Sequence, residues 1–414
     1  MTTQTLENWK KVKLGDVAKI ESGGTPSSAK SEYWDGGNIC WATLPDLENK
    51  YFFDTQRKIT PLGLKNSSAK LLPINSVIFS SRATIGEISI AKVKTSTNQG
   101  SKNFICDPTK IDYEFLYYLL KSKVEEINNL ASGATYKEIN KTVLSSVEIE
   151  IPDISTQKQI ADVLSVYDDL IEKNSRRIQI LEQMAQEIYK EWFVNFRFPG
   201  HEKVKMIDSG TDFGKIPEGW EIAKLPEVFD FLEGPGIRNW QYTPTGCPFI
   251  NIRLIKNNDI NISSASFISK EEADGKYNHF HLQERDMVVS TSGTLGRSAI
   301  VRKEHLPLLL NTSVIRFRPN NGRSYAFMYQ FLNADYFQNK ILSMASGSAQ
   351  PNFGPIHLKQ IDMLVPSERV LDSFGDLVNL IYDGIAVYLS ENQRLRQTRD
   401  LLSPKLVTGE VEVR

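Results

Sequence analysis

Gly210-Thr211-Asp212-Phe213-Gly214-Lys215-Ile216 is one of three stretches whose residue types belong to catalysis. A phosphate loop needs four residues between its glycines and a Ser or Thr after the Lys to hold magnesium; here three intervene and Ile follows. Pro45-Asp46-Leu47-Glu48-Asn49-Lys50 carries the carboxylates and Lys of a metal nuclease. Its acids stand two positions apart on one loop instead of on facing strands, so a turn before Tyr51 is expected. His279-Phe280-His281 pairs two imidazoles without a third ligand at suitable spacing, the pattern of a half-exposed strand rather than of zinc. No Asn-Pro-Pro-Tyr tetrapeptide for adenine methylation occurs. Cys40, Cys106 and Cys247 lie too far apart for a disulfide framework or a structural zinc and are expected to be reduced and inert. The expectation is a chain with no catalytic centre, no metal and no cofactor of its own.

The 414 residues suit two or three domains, and Lys+Arg 49 against Asp+Glu 50 excludes a uniformly basic nucleic-acid coat. Any nucleic-acid surface has to be local, or shared with a partner. No apolar run reaches the roughly 18 residues of a membrane span, and Met1-Thr2-Thr3-Gln4-Thr5 lacks a secretion signal's character, so a cytoplasmic location with no membrane partner is expected.

The elements that position the remaining polar residues come from a repeat. Trp9 to Val17 matches Trp220 to Val228 at an offset of 211. Thr84-Ile85-Gly86 matches Thr294-Leu295-Gly296, Asn98 matches Asn311, Phe104 matches Phe317, and Tyr113 to Leu120 matches Tyr325 to Leu332. Ser132-Gly133 falls on Ser346-Gly347 and Ile151-Pro152 on Val365-Pro366. A unit of about two hundred residues is used twice. Val77 to Ser80, Met287 to Ser290 and Phe249 to Ile252 read as strands leading into turns, and Tyr113 to about Leu130 and Tyr325 to about Met344 as aromatic-rich helices. Each unit begins as an α+β domain of mixed sheet.

Each unit then changes period. Ile160, Leu164, Tyr167, Ile171, Asn174, Ile178, Leu181, Ala185 and Ile188 follow one another at 4-3 spacing. So do Phe374, Val378, Ile381, Ile385, Tyr388, Asn392, Leu395, Arg399 and Leu402. This is the seam of a coiled coil. The first helix, with a capping box at Thr156-Gln157-Lys158-Gln159, can reach about Phe196 and is then roughly 60 Å long. Its natural partner is the second helix, antiparallel to it. The expected register sets Asn174 opposite Asn392, since a buried amide is least costly against another amide. Ile178 then meets Tyr388, Leu181 meets Ile385, Ala185 meets Ile381, Ile188 meets Val378, Ile171 meets Leu395 and Leu164 meets Leu402. Arg399 falls on the Tyr167 ring for a cation-π contact.

The order of domain, long helix, domain, long helix resembles the specificity subunit of type I restriction-modification systems. The resemblance spans the chain and is carried by Ser22-Gly23-Gly24-Thr25-Pro26, Ser80-Ser81-Arg82-Ala83-Thr84-Ile85-Gly86, Ser132 to Lys137, and Ile151-Pro152 before Gln157-Lys158-Gln159-Ile160. The second unit departs in having Gly234-Pro235-Gly236 and Arg369-Val370-Leu371 at the corresponding places. The implied fold class is α+β with a pseudo-two-fold tandem repeat: two mixed-sheet target-recognition domains, each followed by a long helix. The division is 1–152 for the first domain, 153–199 for the central spacer helix, 200–216 for a linker, 217–366 for the second domain and 367–414 for the C-terminal spacer helix. The resemblance also implies a non-catalytic reader of an asymmetric bipartite site on double-stranded DNA. Its helices would dock two methyltransferase subunits, two translocase-nuclease subunits would join them, and S-adenosylmethionine, ATP and magnesium would belong to those partners.

Reading bases calls for Arg, Lys, Asn, Gln, Ser and Thr on turns, since bidentate Arg to guanine and Asn or Gln to adenine supply most major-groove discrimination. The candidates are Ser81, Arg82, Thr84, Asn98, Gln99, Lys102, Tyr136 and Lys137 in the first domain. In the second they are Arg238, Asn239, Ser292, Thr294, Gln350 and Asn352. The alternative at the repeated positions, Thr84 and Thr294 above all, is that the turn merely caps strands, because two readers of different sequence should differ where they read. Charge leans toward DNA along the domains and protein along the helices: +2 for residues 1–152, +1 for 217–366, and −2 for each of 153–199 and 367–414. The competing function is a protein-binding scaffold, decoy or silent copy whose DNA surface has degenerated.

Overall fold

Phe104 and Phe317 occupy the same place in two sheets. In the computed structural model, which describes residues 9–131, 137–320, 324–345 and 352–413, Phe104 stands opposite Ile20 on one side and Val77 on the other. Phe317 stands opposite Phe231 and Met287. The chain divides into two units, Met1–Glu172 with Gln393–Arg414, and Lys173–Asn392, so the division falls within both long helices.

In the first unit the sheet runs in the order Ala18–Ser22, Ser101–Cys106, Val77–Ser80, Ile88–Ala91, Tyr51–Phe52. Its central strands are buried on both faces. One face packs on the helix Tyr113–Ser122, whose aromatic residues share a core with Val77, Phe79 and Phe104. The other meets a smaller cluster around Leu47, Phe52 and Leu72, and a second sheet orders Lys58–Ile59, Ile39–Ala42 and Thr95–Thr97. Lys10–Lys13 pairs antiparallel with Glu148–Ile151 and so closes the domain just before its long helix.

The second unit repeats the plan. Glu221–Lys224 pairs with Asp362–Val365, and the main sheet orders Phe229–Glu233, Val314–Pro319, Met287–Ser290, Ser298–Ile300. A three-stranded sheet of Tyr242–Thr243, Ser266–Ile268 and Cys247–Phe249 accompanies it. Both aromatic helices are shorter than their sequence pattern predicts. The first breaks at Lys123 between Tyr113–Ser122 and Val124–Asn129, and the second at Ala334 between Tyr325–Asn333 and Asp335–Met344. Phe249 ends its strand, and the continuation through Ile252 becomes a 3-10 turn, Ile252–Leu254.

The first long helix is Ile154–Tyr189, ending in a π turn at Lys190–Val194, and the second is Glu368–Val407. The first is capped by Asp153 and not by a box at Thr156: the Asp153 carboxylate accepts the Ser155 and Thr156 N–H groups and the Thr156 hydroxyl. Gln157 is instead fully buried. Its side chain accepts the Asp112 N–H and donates to the carbonyls of Lys110 and Pro152, tying the helix to its own domain. The expected linker is a hairpin, Met206–Asp208 with Lys215–Pro217.

Within the second unit the helices run antiparallel, with contacts between Asn174 and Glu391, Arg177 and Tyr388, and Tyr189 and Phe374. Asn174 and Asn392 are both buried at one level. Each amide bonds the other's neighbour: Asn174 donates to Glu391 at 3.0 Å and Asn392 to Ser175 at 3.4 Å. The Tyr388 ring carries the Arg177 guanidinium. Val378, Ile381, Ile385 and Ile178 are buried, with Leu181 half-buried against them. In the first unit Leu164 and Leu402 lie in one core, Tyr167, Ile171 and Leu395 are half-buried, and Arg399 pairs with Asp168. The expected cation-π contact of Arg399 with Tyr167 is thus replaced by a carboxylate one residue further along, because a guanidinium out of water gains more from a full opposite charge than from a ring.

Candidate nucleic-acid interface

The two domains present their candidate residues on one scaffold. After Val77–Ser80 the Ser80 hydroxyl donates to the Thr84 carbonyl at 2.6 Å and accepts the Glu87 N–H, which holds the turn to the next strand. Ser290 does the same with Thr294 and Arg297. The Ser81 N–H donates to the Gly100 carbonyl and the Thr291 N–H to the Ser313 carbonyl. Where the chain returns, the Ile139 N–H donates to Ser81 and the Phe353 N–H to Thr291. Thr84 and Thr294 therefore contribute backbone carbonyls to a turn the fold requires, while their side chains are exposed.

In the first domain this geometry gathers Arg82, Asn98, Gln99 and Lys137. Arg82 is half-buried and bridged through its backbone to Glu138, the residue after exposed Lys137. Asn98 accepts the Gly100 N–H and the Ser101 hydroxyl, and exposed Gln99 accepts a hydrogen bond from Thr25. Two candidates are corrected. Ser81 is fully buried and Lys102 nearly so, and the Lys102 ammonium donates to the Ser81 hydroxyl at 3.0 Å and to Glu138 at 3.3 Å. A buried ammonium needs such partners, and these hydrogen bonds occupy both side chains within the domain. Tyr136 lies outside the described residues.

In the second domain exposed Arg238 and Asn239 begin a 3-10 turn whose backbone is held by the Gln241 side chain. The preceding Ile237 N–H donates to Asn311, the repeat counterpart of Asn98. Ser292 is half-buried, and Asn352 is exposed beside the Phe353 anchor. Gln350 lies outside the described residues. Sequence reasoning passed over Thr25 as a site residue, whose partner Gln99 is 74 positions away; Trp240, an indole 80% exposed, ends the polar turn that the sequence already singled out at Arg238 and Asn239.

The stretches that resemble catalytic motifs have other work. Gly210 and Gly214 adopt positive φ in the turn of the hairpin, and Lys215 opens a strand where a phosphate loop opens a helix. Asp46 accepts hydrogen bonds from the Thr43 N–H and hydroxyl and from the Gln56 N–H. The three cysteines are unpaired, and burial pushes the Cys106 thiol up to about 12. Among the described residues no group of His, Cys, Asp and Glu has the arrangement to hold a metal, and no helix is long and apolar enough to cross a membrane.

The family model of the type I restriction modification DNA specificity domain matches this chain twice, over residues 6–183 and 217–369. The chain belongs to that family. The specificity subunit of the type I restriction enzyme MjaIX from Methanocaldococcus jannaschii is 31% identical over 98% of this chain and 94% of its own length. The HindI specificity subunit from Haemophilus influenzae is 24% identical over 98% of this chain and all of its own. Among solved structures, the type I S subunit from M. genitalium superposes with a TM-score of 0.54 at 20% identity, covering 98% of both chains, and so shares the fold.

The first unit holds its domain on its long helix with a buried polar network. The Lys50 ammonium donates to Glu114 at 3.1 Å, Tyr118 at 3.0 Å and Ser165 at 2.7 Å. Burial alone would raise the Glu114 carboxyl; Lys50 and the hydroxyls of Ser165 and Tyr51 outweigh it and hold it below the ordinary value. Tyr118 donates to Asp168, the partner of Arg399, so the network runs on into the helix seam.

Proposed function

We propose that this chain is the non-catalytic reader of a type I restriction-modification complex, and that each of its two domains reads one half of an asymmetric bipartite site on double-stranded DNA. The observation that carries this reading is the contrast between a repeated scaffold and unlike exposed side chains. The hydrogen bonds of Ser80 and Ser290, and the anchors Ile139 and Phe353, recur bond for bond. Beside them stand half-buried Arg82 and exposed Gln99 in one domain, where half-buried Ser292 and exposed Thr312 take the equivalent places in the other, which adds exposed Arg238 and Asn239 on a separate turn. A shared frame with different donors suits two readers of different sequence. The long helices then serve as spacer and as docking surface for two methyltransferase subunits, joined by two translocase-nuclease subunits. Those partners hold the S-adenosylmethionine, ATP and magnesium, and the complex works in the cytoplasm.

The test is methylome sequencing of cells that express this chain with a matched methyltransferase subunit. The expected result is one asymmetric split motif. Arg82→Ala should relax one half of it and Arg238→Ala the other, each by the roughly 1 to 3 kcal/mol of a bidentate base contact. No motif with a bound, active methyltransferase subunit would favour the scaffold or silent-copy reading.

A further inference from the structure

Among the described residues His279-Phe280-His281 finds no further metal ligand, yet the fold gives these imidazoles a different company. Asn278, His279, His281 and Gln283 line a cavity of about 290 Å³ together with Arg316 and Arg318, which lie more than thirty positions further along the chain. No carboxylate is among the described lining residues. Arg316 is 7% exposed; its Nη2 donates to Asp230 at 2.6 Å, and its Nη1 is buried with no partner among the described residues. Arg318 commits Nε and Nη2 to Asp286 at 2.7 and 2.8 Å, which fixes the plane of its guanidinium. His281 is oriented by Asp274 at 3.2 Å.

A buried guanidinium N–H without an acceptor costs free energy unless something supplies one. The lining offers donors from two separate segments, which suits an anion carrying several acceptor oxygens, and paired arginines suit phosphate in particular. The cavity has room for a phosphate together with the group esterified to it. It is also peculiar to this domain. Arg316 stands opposite Val288 in the sheet, as Asn103 stands opposite Ile78 in the first domain, and Asn103 spends its amide on Thr97 at 2.9 Å. The counterpart of Arg318 is Ile105, beside Phe104 as Arg318 is beside Phe317.

We infer that this cavity is a phosphate-binding site, with Arg316 and Arg318 as the principal donors and the 278–283 segment completing it. The phosphate is either one of the DNA backbone, which rests on the function proposed above, or that of a free phosphate or nucleotide, which does not. The experiment uses the purified full chain and inorganic phosphate, titrated against chloride at equal ionic strength and followed by calorimetry. Saturable binding is expected. Arg316→Gln should weaken it roughly tenfold or more, the loss of a charge-assisted hydrogen bond. Gln283→Glu, which sets a carboxylate in the lining from an exposed position and leaves the core untouched, should weaken it comparably in a normally folded chain. Binding no stronger than chloride's, or folded variants that bind phosphate as the parent does, would overturn the site.

A second arm finds the source. If DNA supplies the phosphate, free phosphate competes with duplex binding at constant ionic strength, and Arg316→Gln flattens the salt dependence of duplex affinity by about one phosphate contact. If the duplex is bound equally by parent and variant while phosphate affinity falls, the site stands and its ligand is a free phosphate. Failure to bind any duplex would count against the reader function and leave the phosphate result to be judged by itself.

Discussion

The Arg399 guanidinium, at a seam position where the heptad pattern calls for hydrocarbon, lies buried against the Asp168 carboxylate, each residue 8% exposed. Asp400 takes the guanidinium's other edge, and Tyr118 donates to Asp168. Removing one partner of such a pair strands the other out of water, whereas removing both charges is often close to neutral.

Arg399→Met is therefore expected to destabilise the first unit by about 3 kcal/mol or more. Asp168→Asn, which keeps an acceptor for Tyr118, added to Arg399→Met should restore a large part of that loss. Urea unfolding of the four chains closes the cycle. Additive losses would mean that the two side chains do not depend on one another.

Gly23 carries a different constraint. A Cβ there would come within 1.8 Å of the Asn98 carbonyl oxygen, and at Gly234 within 2.3 Å of the Asn311 carbonyl, so both domains pass two backbones too close for any side chain. Gly36 has positive φ and open space. Gly36→Ala should cost about 1 kcal/mol, the left-handed backbone penalty, and Gly23→Ala considerably more. Thermal unfolding of the two variants ranks them, and equal losses would show that the loop simply moves aside.

His305 should make the second unit sensitive to acid. Burial, then the neighbouring Arg302, lowers its pKa to about 4 against an ordinary 6.5, and its Nδ1 accepts the Arg302 N–H. The folded form holds the imidazole neutral while the unfolded form protonates first. This contribution is complete above about pH 6.5 and declines as pH falls toward 4, with a slope of at most about 1.4 kcal/mol per pH unit. His305→Asn retains an acceptor and does not titrate. Its stability should fall less steeply than the parent's between pH 6.5 and 4 in urea unfolding, and parallel profiles would assign the acid response elsewhere.

The helices should act as a ruler under the proposed function. Inserting one heptad into each, between Glu172 and Lys173 and between Asn392 and Gln393, keeps the seam in phase and lengthens each helix by about 10 Å. The gap between half-sites is expected to grow by about three base pairs at roughly 3.4 Å each. Methylome sequencing reads the spacing directly, and an unchanged gap in an active complex would show that the helices do not set it.

Periodicity and repetition are local properties, and the sequence alone determined what depends on them. Trp9 with Trp220 and Thr84 with Thr294 exposed the repeat, and the 4-3 spacing from Ile160 and from Phe374 set both long helices and the level of Asn174 with Asn392. Asp168 stayed invisible as a seam residue because it stands one position off the heptad, and only a partner helix reveals that the side chain turns inward. Lys102 was misjudged because residue type sends a lysine outward; in the strand it faces Ser22 and Phe79, and its ammonium finds Ser81 and Glu138 inside. Tertiary structure alone decided the gathering of Arg316 and Arg318 with His279 and His281. The His-Phe-His pattern gave no sign of the two arginines, and what makes them a pocket is the closure of a loop over a sheet, a long-range event that no spacing along the chain encodes.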